Sequence, residues 1–455
     1  MDGETVVALA TPPGESGIAV VRISGKRAVD IIEGMSPGAA GWKSHEMHLS
    51  RLGNINGEIL DEALAVCMLA PNSYTGEDVV EISCHGSMHV TGAIIEDIIS
   101  RGAEQAGQGE FTKRAYLNGR MDLVQAEAVA DLISSETRLQ SRVALAHLGG
   151  SLSRKMVEIE NGLLGQLALV EVSIDFSEED IETWSAERLT EISVETRGKI
   201  SVLLESEMAG RKLRQGIRIT ILGPRNAGKS SLYNALIGEE RAIVSEIPGT
   251  TRDVLRERIH IGGLTYYLED TAGIADTGCE IEARGISMGR EAARGADIVL
   301  FVLDGSHRSR AEDREELRNV SAVEHIVVLN KSDLGLAEST ADVAGRFGEA
   351  DVIAVSALGG EGLADLRSAI FGRTVGGDIS KLEKERIALN TRQSNALKDV
   401  SAALARMEKE IERKAGPEIV SMELREAIDA CGKVTGRSVS QDLLDTVFSR
   451  FCIGK

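Results

Sequence analysis

Aromatic residues, paired cysteines and positive charge are all scarce in this chain of 455 residues. Aromatic residues make up only 3%, so a large stacking platform for single-stranded nucleic acid is not expected. Acidic residues outnumber basic ones by 71 to 51, which gives a net charge of −20. Because Lys and Arg supply most nucleic-acid affinity, such a chain is a poor non-specific binder of polyanions. An RNA partner would need a local basic patch or a second protein that supplies the attraction.

The five cysteines are scattered and include no C-x-x-C pair, which argues against a disulfide framework or a zinc ribbon and favours a reducing compartment. The N-terminus lacks the basic and apolar regions of a signal peptide. No run of about 18 apolar residues is present, so no membrane span is expected. These features predict a cytoplasmic protein.

Proline is absent between Pro71 and Pro224. The first part of the chain alternates β-rich runs with Gly turns and contains one apolar helical run near Ala93–Arg101, which predicts an N-terminal α+β domain of about 115 residues. The predicted strands are Thr5–Ala10, Ile18–Ile23, Ala63–Leu69 and Val79–Ser83.

From about Met121 to Gln215, apolar residues recur at three- and four-residue spacing, which predicts long amphipathic helices. In the first of them, Leu123, Ala126, Ala130 and Ile133 would share one face. The pattern resumes from 379 to 451, broken only around Gly416-Pro417. The two helical stretches are therefore expected to pack as one discontinuous α-helical bundle, with a further domain inserted between them.

The central segment has a different period. Short β-branched runs such as "IRITILG", "ADIVLFVLD" and "HIVVLNKSD" alternate with helical spans such as "SSLYNALIG". Strands alternating with helices predict a parallel, doubly wound sheet of the Ras-like α/β type. The predicted domains are an N-terminal domain (1–118), a first helical part (119–216), an α/β domain (217–375) that contains the motifs described next, and a second helical part (376–455).

The stretch "GPRNAGKS" from Gly223 to Ser230 fits G-x-x-x-x-G-K-[ST], between a predicted strand and a predicted helix. In such a loop, backbone N–H groups cradle phosphates and the helix N-terminus adds positive potential. Lys229 would reach the β and γ phosphates, and the Ser230 hydroxyl would bind Mg²⁺.

Further elements follow at the ends of later predicted strands. In "DTAG", Asp270 would hold Mg²⁺ through water and the Gly273 amide would sense the γ-phosphate. In "NKSD", Asp333 could accept both the ring N–H and the exocyclic amine of guanine, a pair that adenine lacks; such a pair is worth roughly 10⁴-fold in discrimination. Ser356-Ala357 would place a backbone N–H at the guanine carbonyl. Four elements in this order predict GTP rather than ATP.

The segment "GTTRD" lies where the first switch belongs, and Thr251 is the candidate that binds Mg²⁺ when the γ-phosphate is present. A surface loop with a helix cap is the alternative interpretation. The residue after Gly273 is Ile274, where signalling GTPases carry the glutamine that orients water. An apolar side chain cannot position a nucleophile, so Glu282 is a candidate catalytic residue; a solvated loop charge is the alternative.

The residues predicted to act on the nucleotide form two groups. The candidate catalytic residues are Lys229, Thr251 and Glu282. The candidate GTP contacts are Asn226, Ala227, Gly228, Lys229, Ser230, Ser231, Ser245, Glu246, Ile247, Pro248, Gly249, Thr250, Thr251, Asp270, Thr271, Ala272, Gly273, Asn330, Lys331, Asp333, Ser356, Ala357 and Leu358.

The order of these motifs resembles the bacterial TRAFAC-class GTPases that carry a hydrophobic residue after D-T-A-G. The flanking sequences narrow the resemblance to the MnmE (TrmE) family of tRNA-modification GTPases. They are "ATPPGESGIAVVRISG", "PNSYTGEDVVEISCHGS", "GEFTKRAYLNGRMDLVQAEAVADLI" and the terminal "CIGK". The resemblance covers essentially the whole chain.

The resemblance implies a homodimer that works with an FAD-containing partner, MnmG, in a heterotetramer or larger complex. Together they would add an aminomethyl or carboxymethylaminomethyl group to carbon five of the wobble uridine of certain tRNAs. The added carbon would come from a 5-formyl- or 5,10-methylene-tetrahydrofolate. By motif position, Arg22, Glu81, Arg120 and Lys455 would contact the folate: cations suit its glutamate tail, and a carboxylate suits the pterin edge.

The resemblance also implies a potassium ion beside the phosphates, where an arginine finger would otherwise neutralise charge. Its ligands would be Asn226, Ser245, Ile247 and Thr250, and Glu282 matches the catalytic glutamate of the family. Cys452 is a candidate reactive thiol, with a packed structural cysteine as the alternative. A GTP-switched ribosome or RNA assembly factor that performs no modification chemistry remains the alternative function.

Overall fold

The computed structural model describes residues 4–175, 185–238, 256–269, 295–318, 323–348, 350–375, 382 and 384–455. The chain divides into two compact units, each built from segments that are distant in sequence. The first unit contains Met1–Ile133, His147–Arg197 and Asn395–Lys455, and the second contains Ser134–Ala146 and Gly198–Ser394.

The first unit contains a six-stranded sheet in the order β3-β4-β5-β2-β1-β6. Its pairings are antiparallel except for β1 with β6, which is parallel. The strands are β1 (Val6–Leu9), β2 (Ser16–Ser24), β3 (Met47–Gly53), β4 (Ile59–Met68), β5 (Val79–Gly86) and β6 (Glu104–Gln105).

Two helices, α1 (Ala28–Met35) and α2 (Met88–Ser100), cover one face of this sheet. Alternate residues of β4 (Ala63, Ala65 and Cys67) are buried in the same apolar cluster as residues of both helices. This alternation is the period-two pattern that a half-buried strand requires. The sequence did not predict β3, because the strand lies at an edge and its apolar residues Met47 and Leu49 are 60% and 67% exposed.

The rest of the first unit is helical. The described helices of the first and second units follow one another along the chain. They are α3 (Glu110–Leu117), α4 (Leu123–Ile133), α5 (Arg138–Leu148), α6 (Ser151–Asp175), α7 (Ala186–Leu204), α8 (Ser206–Gln215), α9 (Lys229–Gly238), α10 (Ala311–Arg318), α11 (Thr340–Arg346), α12 (Leu363–Val375), α13 (Thr391–Glu412), α14 (Pro417–Thr435) and α15 (Gln441–Phe448). Within the first unit, α14 packs along α6, so helical segments before and after the inserted segment do associate.

One detail of the predicted helical pattern is wrong. In α4, Leu123 and Ala126 are buried, and Ile133, the last residue of the helix, is 50% exposed, so the predicted helix is present there. The C-terminal stretch, however, has more breaks than the one at Gly416-Pro417. Residues 386–390 are not helical, and α13 begins at Thr391, where Asn390 accepts from the Gln393 amide at 2.9 Å. A further break follows α14, which ends at Thr435 before Gly436, whose φ of 93° is left-handed.

The second unit contains a six-stranded sheet in the order β12-β11-β10-β7-β9-β8. All pairings are parallel except the β8–β9 hairpin. The strands are β7 (Ile217–Leu222), β8 (Arg256–Ile261), β9 (Leu264–Glu269), β10 (Ile298–Asp304), β11 (His325–Asn330) and β12 (Val352–Ala354). The predicted doubly wound α/β sheet is confirmed.

The sheet of the second unit is buried on both faces. Leu300 and Val302 of β10 belong to one apolar cluster with α9 and α12, whereas Val299 and Phe301 belong to another with α10 and α11. Burial on both faces explains why these strands are almost continuously apolar. Within the described parts of the chain, no helix combines the length and apolarity needed to cross a bilayer.

Candidate functional site

The segment between β7 and α9, the phosphate loop, is a tight loop whose shape depends on residues with positive φ. Gly223 has a φ of 135°, and a Cβ there would lie 2.1 Å from the carbonyl oxygen of Val302. Gly228 has a φ of 90°, and a Cβ there would lie 2.1 Å from Asn330 Nδ2. Asn226 has a left-handed φ of 63° without being glycine. Such positions store strain that the surrounding structure must hold, a common property of ligand-binding loops.

The Lys229 ammonium faces the inside of this loop. Its Nζ donates to the carbonyl oxygens of Gly223 at 2.8 Å and Pro224 at 2.9 Å. Ala227 is fully buried, whereas Asn226, Ser230 and Ser231 are exposed at the start of α9. A cation and exposed hydroxyls therefore lie at a helix N-terminus, which is an arrangement that suits phosphate.

Asn330 joins this loop to the other end of the site. Its side chain is 2% exposed. Nδ2 donates to the Ala227 carbonyl at 2.9 Å, and Oδ1 accepts from the Ala357 amide at 3.0 Å. One buried amide thus fixes the distance between the phosphate loop and the turn after β12.

Asp333 follows Asn330 in a short 3₁₀ turn and is exposed. Its Oδ1 accepts from the buried Ser356 hydroxyl at 2.7 Å. Ser356 Oγ in turn accepts from the Gly359 amide at 2.9 Å. A hydrogen bond to one oxygen therefore orients an otherwise exposed carboxylate, which suits a group that must accept from a flat base.

In the turn after β12, the backbone amides of Ser356 and Ala357 both donate to acceptors within the protein. The Ser356 amide donates to the Glu361 carbonyl at 2.9 Å, and the Ala357 amide, expected at the guanine carbonyl, donates to Asn330. Leu358 is 87% exposed at the tip of the turn. If the Ala357 amide contacted a base, it would have to share its hydrogen between the base and Asn330. The Leu358 amide is the next backbone donor along the turn.

Asp304, which the sequence analysis did not single out, lies beside the "NKSD" loop. It ends β10 opposite Asn330 of β11, and its Oδ2 lies 2.6 Å from Lys331 Nζ. Burial alone would raise the pKa of Asp304, but hydrogen bonds from Lys331 and Ser306 outweigh it and lower the pKa to about 2. The available signal was one acidic residue ending an otherwise apolar strand, "IVLFVLD".

Twelve predicted nucleotide-site residues lie outside the described residues. They are Ser245, Glu246, Ile247, Pro248, Gly249, Thr250, Thr251, Asp270, Thr271, Ala272, Gly273 and Glu282.

A second cluster of predicted site residues lies in the first unit. Arg22 on β2 pairs with Glu81 on β5, with Nη2 and Oε1 separated by 2.7 Å, and the two residues are direct partners in the strand register. The guanidinium also lies 5.4 Å from the ring centroid of Tyr74 and 5.5 Å from that of Phe111. The ion pair thus has an aromatic wall and side chains only 17% and 27% exposed.

The C-terminus of the chain meets this cluster. Arg22 Nη1 donates to the Gly454 carbonyl at 3.4 Å, and the Phe111 amide donates to the Lys455 carbonyl at 3.1 Å. Gly454 has a φ of 91°, and a Cβ there would lie 2.1 Å from the Leu9 carbonyl oxygen. Arg120 is exposed, and its Cγ lies near Gly76. The structure therefore brings together Arg22, Glu81 and the backbone of Lys455.

The described cysteines differ in exposure. Cys452 is exposed near this cluster, whereas Cys67, Cys84 and Cys431 are buried. Burial raises the pKa of Cys84 to about 11 and that of Cys431 to about 12. Cys452 is therefore the accessible thiol among these four.

The sheet, the phosphate loop and the buried Asn330 bridge define a P-loop nucleotide-binding protein with the elements of guanine recognition. Comparisons with known proteins identify its family. Residues 5–120 match the family model "GTP-binding protein TrmE N-terminus", and residues 123–452 match the model "MnmE helical domain". The chain belongs to the MnmE (TrmE) family.

Curated relatives match this chain along its length. The protein called "tRNA modification GTPase MnmE" from Aquifex aeolicus is 41% identical over 99% of this chain and 100% of the relative. Proteins of the same name from Alkaliphilus metalliredigens and Clostridioides difficile are each 40% identical over 99% of both chains. Among solved structures, the G domain of the T. maritima FeoB iron transporter is 22% identical, with a TM-score of 0.27, over 34% of this chain and 98% of its own.

Proposed function

We propose that this chain is a potassium-dependent GTPase that works with the flavoprotein MnmG on certain tRNAs, in the cytoplasm where tRNAs are used. The pair would add a carboxymethylaminomethyl or aminomethyl group to carbon five of the wobble uridine. Its membership of the MnmE family makes the chain a GTP hydrolase involved in tRNA modification. The potassium, the folate, the partner and the chemistry at carbon five are the proposed extensions.

The observation that carries the proposed GTP-binding role is the fixed distance between the phosphate loop (Gly223–Ser230) and the turn after β12. Asn330 sets this distance through its contacts with Ala227 and Ala357, and Ser356 orients Asp333. A carboxylate held in this way can accept two donors from guanine, whereas adenine leaves it unpaired. The Leu358 amide then serves the guanine carbonyl, alone or together with that of Ala357.

The donors at the phosphate end fit Mg²⁺ and phosphate. Ser230 is exposed at the N-terminus of α9, beside the inward-facing Lys229. Mg²⁺ takes oxygen ligands, and the Ser hydroxyl of a phosphate-binding loop is one of them. When bound, Mg²⁺ neutralises charge on the phosphates. Thr251 and Asp270 complete its site in the proposal. Glu282 acts as the catalytic group that orients water in place of a glutamine after Gly273.

Potassium is proposed to bind through Asn226 with Ser245, Ile247 and Thr250. Asn226 supports this role because it is exposed and held at a φ of 63° at the turn of the loop. The test is GTP turnover in potassium against sodium at equal ionic strength. We expect turnover at least about tenfold faster in potassium, because a fixed cation stabilises the charge that develops on the phosphates. Equal rates would remove potassium from the proposal.

A tetrahydrofolate derivative is proposed to bind at the Arg22–Glu81 cluster, with Arg120 and Lys455 at its glutamate tail. The residues present fit: Glu81 can accept from a pterin edge, and the half-buried Tyr74 lies beside Arg22 as a neighbour for a flat ring, whereas Phe111 on the other side of Arg22 is fully buried. When bound, the folate supplies the carbon that is added. Cys452 is proposed as a nearby reactive thiol.

Homodimerisation is proposed to use the exposed face of the N-terminal sheet. Leu49 on β3 is 67% exposed and pairs in register with Leu64 on β4, which is 39% exposed; Met47 and Ile59 are 60% and 65% exposed. Such an apolar surface is typical of an interface.

The net charge of −20 supports a partner protein that supplies much of the tRNA contact, because Lys and Arg supply most nucleic-acid affinity.

Mass analysis of wobble nucleosides from cells that lack this protein tests the whole proposal. We expect loss of the carbon-five modification, with recovery on re-expression of the wild-type chain. Normal nucleosides would instead favour the assembly factor. A thermal titration with 5-formyltetrahydrofolate separates the two independently, because an assembly factor has no use for a folate and would not be stabilised by it.

A further inference from the structure

The Asp304–Lys331 pair lies at the carboxyl edge of the sheet of the second unit. Asp304 and Asn330 are register partners at the ends of β10 and β11, and the Gly305 amide donates to the Asn330 carbonyl at 2.8 Å. The residue after Asp304 therefore holds the backbone where the "NKSD" loop leaves the sheet. Lys331 follows immediately and reaches back to Asp304 with its side chain.

Lys331 needs such a contact because its backbone is strained. Its φ of 64° is left-handed, a conformation that residues other than glycine adopt only rarely and at a cost. The strain occurs between Asn330, which sets the distance across the site, and Asp333, which faces the base. Any relaxation of Lys331 would therefore move the base carboxylate relative to the phosphate loop.

Asp304 is itself rigid. One oxygen, Oδ1, accepts from the Ser306 amide at 3.0 Å and from the Ser306 hydroxyl at 2.6 Å, which leaves Oδ2 for Lys331. The two side chains of the pair are only 22% and 31% exposed. A short, charge-assisted hydrogen bond to a fixed acceptor is strong and directional.

The direction of the Lys331 side chain also matters for the site. Its Cε lies 4.0 Å from the position that a Cβ on Gly228 would occupy. The methylene stem therefore runs from the "NKSD" loop past the phosphate loop to Asp304. Because Asp304 holds the ammonium, the methylene stem of Lys331 keeps a fixed position as an apolar surface between the phosphate loop and the "NKSD" loop.

We propose that Asp304 is a positioning residue for guanine-nucleotide binding, which acts by holding Lys331 and the Asn330–Asp333 loop in the binding conformation before nucleotide arrives. The inference rests on the proposed function, because the pair serves binding only if this loop reads the base. Asp304 acts through Lys331 and needs no contact with the nucleotide itself.

The experiment measures GDP affinity and GTP turnover of the full-length chain in a double-mutant cycle of Asp304→Asn and Lys331→Ala. We expect Asp304→Asn to weaken GDP binding about tenfold, as loss of a charge-assisted hydrogen bond predicts. The KM for GTP should rise by a similar factor while kcat stays within about twofold, because a positioning residue acts on binding. In the Lys331→Ala background, Asp304→Asn should add less than about twofold, because the partner is already gone.

Asp351→Asn is the matched control. Asp351 makes a carboxylate pair with Arg373 at 2.6 Å in the same unit, at the opposite end of the sheet strands, and should leave GDP affinity unchanged. If Asp304→Asn does not fold, Ser306→Ala carries the test. It removes one bond to Asp304 and should weaken GDP binding about threefold, again only when Lys331 is present.

The proposal is overturned if Asp304→Asn binds GDP as the wild type does, or if its effect is the same with and without Lys331. Those results leave the proposed GTPase intact, since the wild-type chain in the same assay would still prefer GDP to ADP. A wild-type chain without that preference would instead refute the guanine site, and the role of Asp304 with it.

Discussion

The two candidate sites are built in different ways. In the second unit, the phosphate loop is one continuous segment of eight residues whose shape follows from glycines and a helix start. In the first unit, Arg22 meets Glu81 from 59 residues away and Gly454 from 432 residues away. The first kind of site is encoded locally, and the second exists only after the chain has folded. A single change should therefore damage each site by a different route.

The largest expected effect is that of Gly228→Ala on the nucleotide site. The new Cβ meets Asn330 Nδ2 at 2.1 Å on a backbone with a φ of 90°. GDP affinity should fall on the order of 100-fold, because backbone strain at residue 228 and displacement of Asn330 each weaken binding. Gly372→Ala in α12 is the control: nothing lies within 4 Å of its Cβ, so binding should stay normal and the helix gain about 0.5–1 kcal/mol. A Gly228→Ala chain that binds within tenfold of wild type would contradict this mechanism.

The matching change in the first unit is Gly454→Ala. Its Cβ meets the Leu9 carbonyl at 2.1 Å on a φ of 91°, which should push the C-terminal residues away from Arg22. Calorimetric titration with 5-formyltetrahydrofolate should show about tenfold weaker binding, with GDP affinity unchanged. Gly57→Ala has a similar φ of 85° in open space, so it reports strain alone and should retain folate affinity. Equal losses in both variants would mean that the C-terminus has no part in the site.

A smaller effect is expected from Glu81→Gln on stability. The change leaves a mostly buried Arg22 without its anionic partner, so denaturant unfolding of the first unit should show a loss of about 1–2 kcal/mol. Glu62→Gln on the neighbouring β4 is the control. It removes an exposed pair with Arg51, with side chains 71% and 55% exposed, and should cost almost nothing. Comparable losses in the two variants would show that burial does not distinguish the pairs.

The last expected effect concerns pH. Burial raises the pKa of Cys431 to about 12 from the ordinary value of 9.0. Below pH 9 the thiol is protonated in both states, and its contribution to stability is fully present. As the pH rises from about 9 towards 12, the thiol of the unfolded chain ionises first, so unfolding becomes more favourable. Cys431→Ala should flatten the fall in stability over this window, and an unchanged slope would assign that fall to other groups.

The sequence predicted what depends on local pattern. The doubly wound sheet followed from apolar strands alternating with helices, and the phosphate loop from glycine and lysine spacing. It did not predict β3, because a strand with one exposed apolar face at a sheet edge has no clear signal. It also missed Asp304, because its importance comes from a neighbouring strand 26 residues further on. Arg22 and Glu81 could be assigned only through family resemblance, since their contact joins distant segments.

The most direct test of the central claim compares the binding of GDP and ADP to the full-length chain in the presence of Mg²⁺. A carboxylate held by Ser356, at a distance from the phosphate loop that Asn330 fixes, should favour GDP by roughly 10⁴-fold. Replacing Asp333 with asparagine should remove most of that preference while leaving the phosphate contacts in place. Equal affinity of the wild-type chain for the two nucleotides would contradict the assignment of this site to guanine.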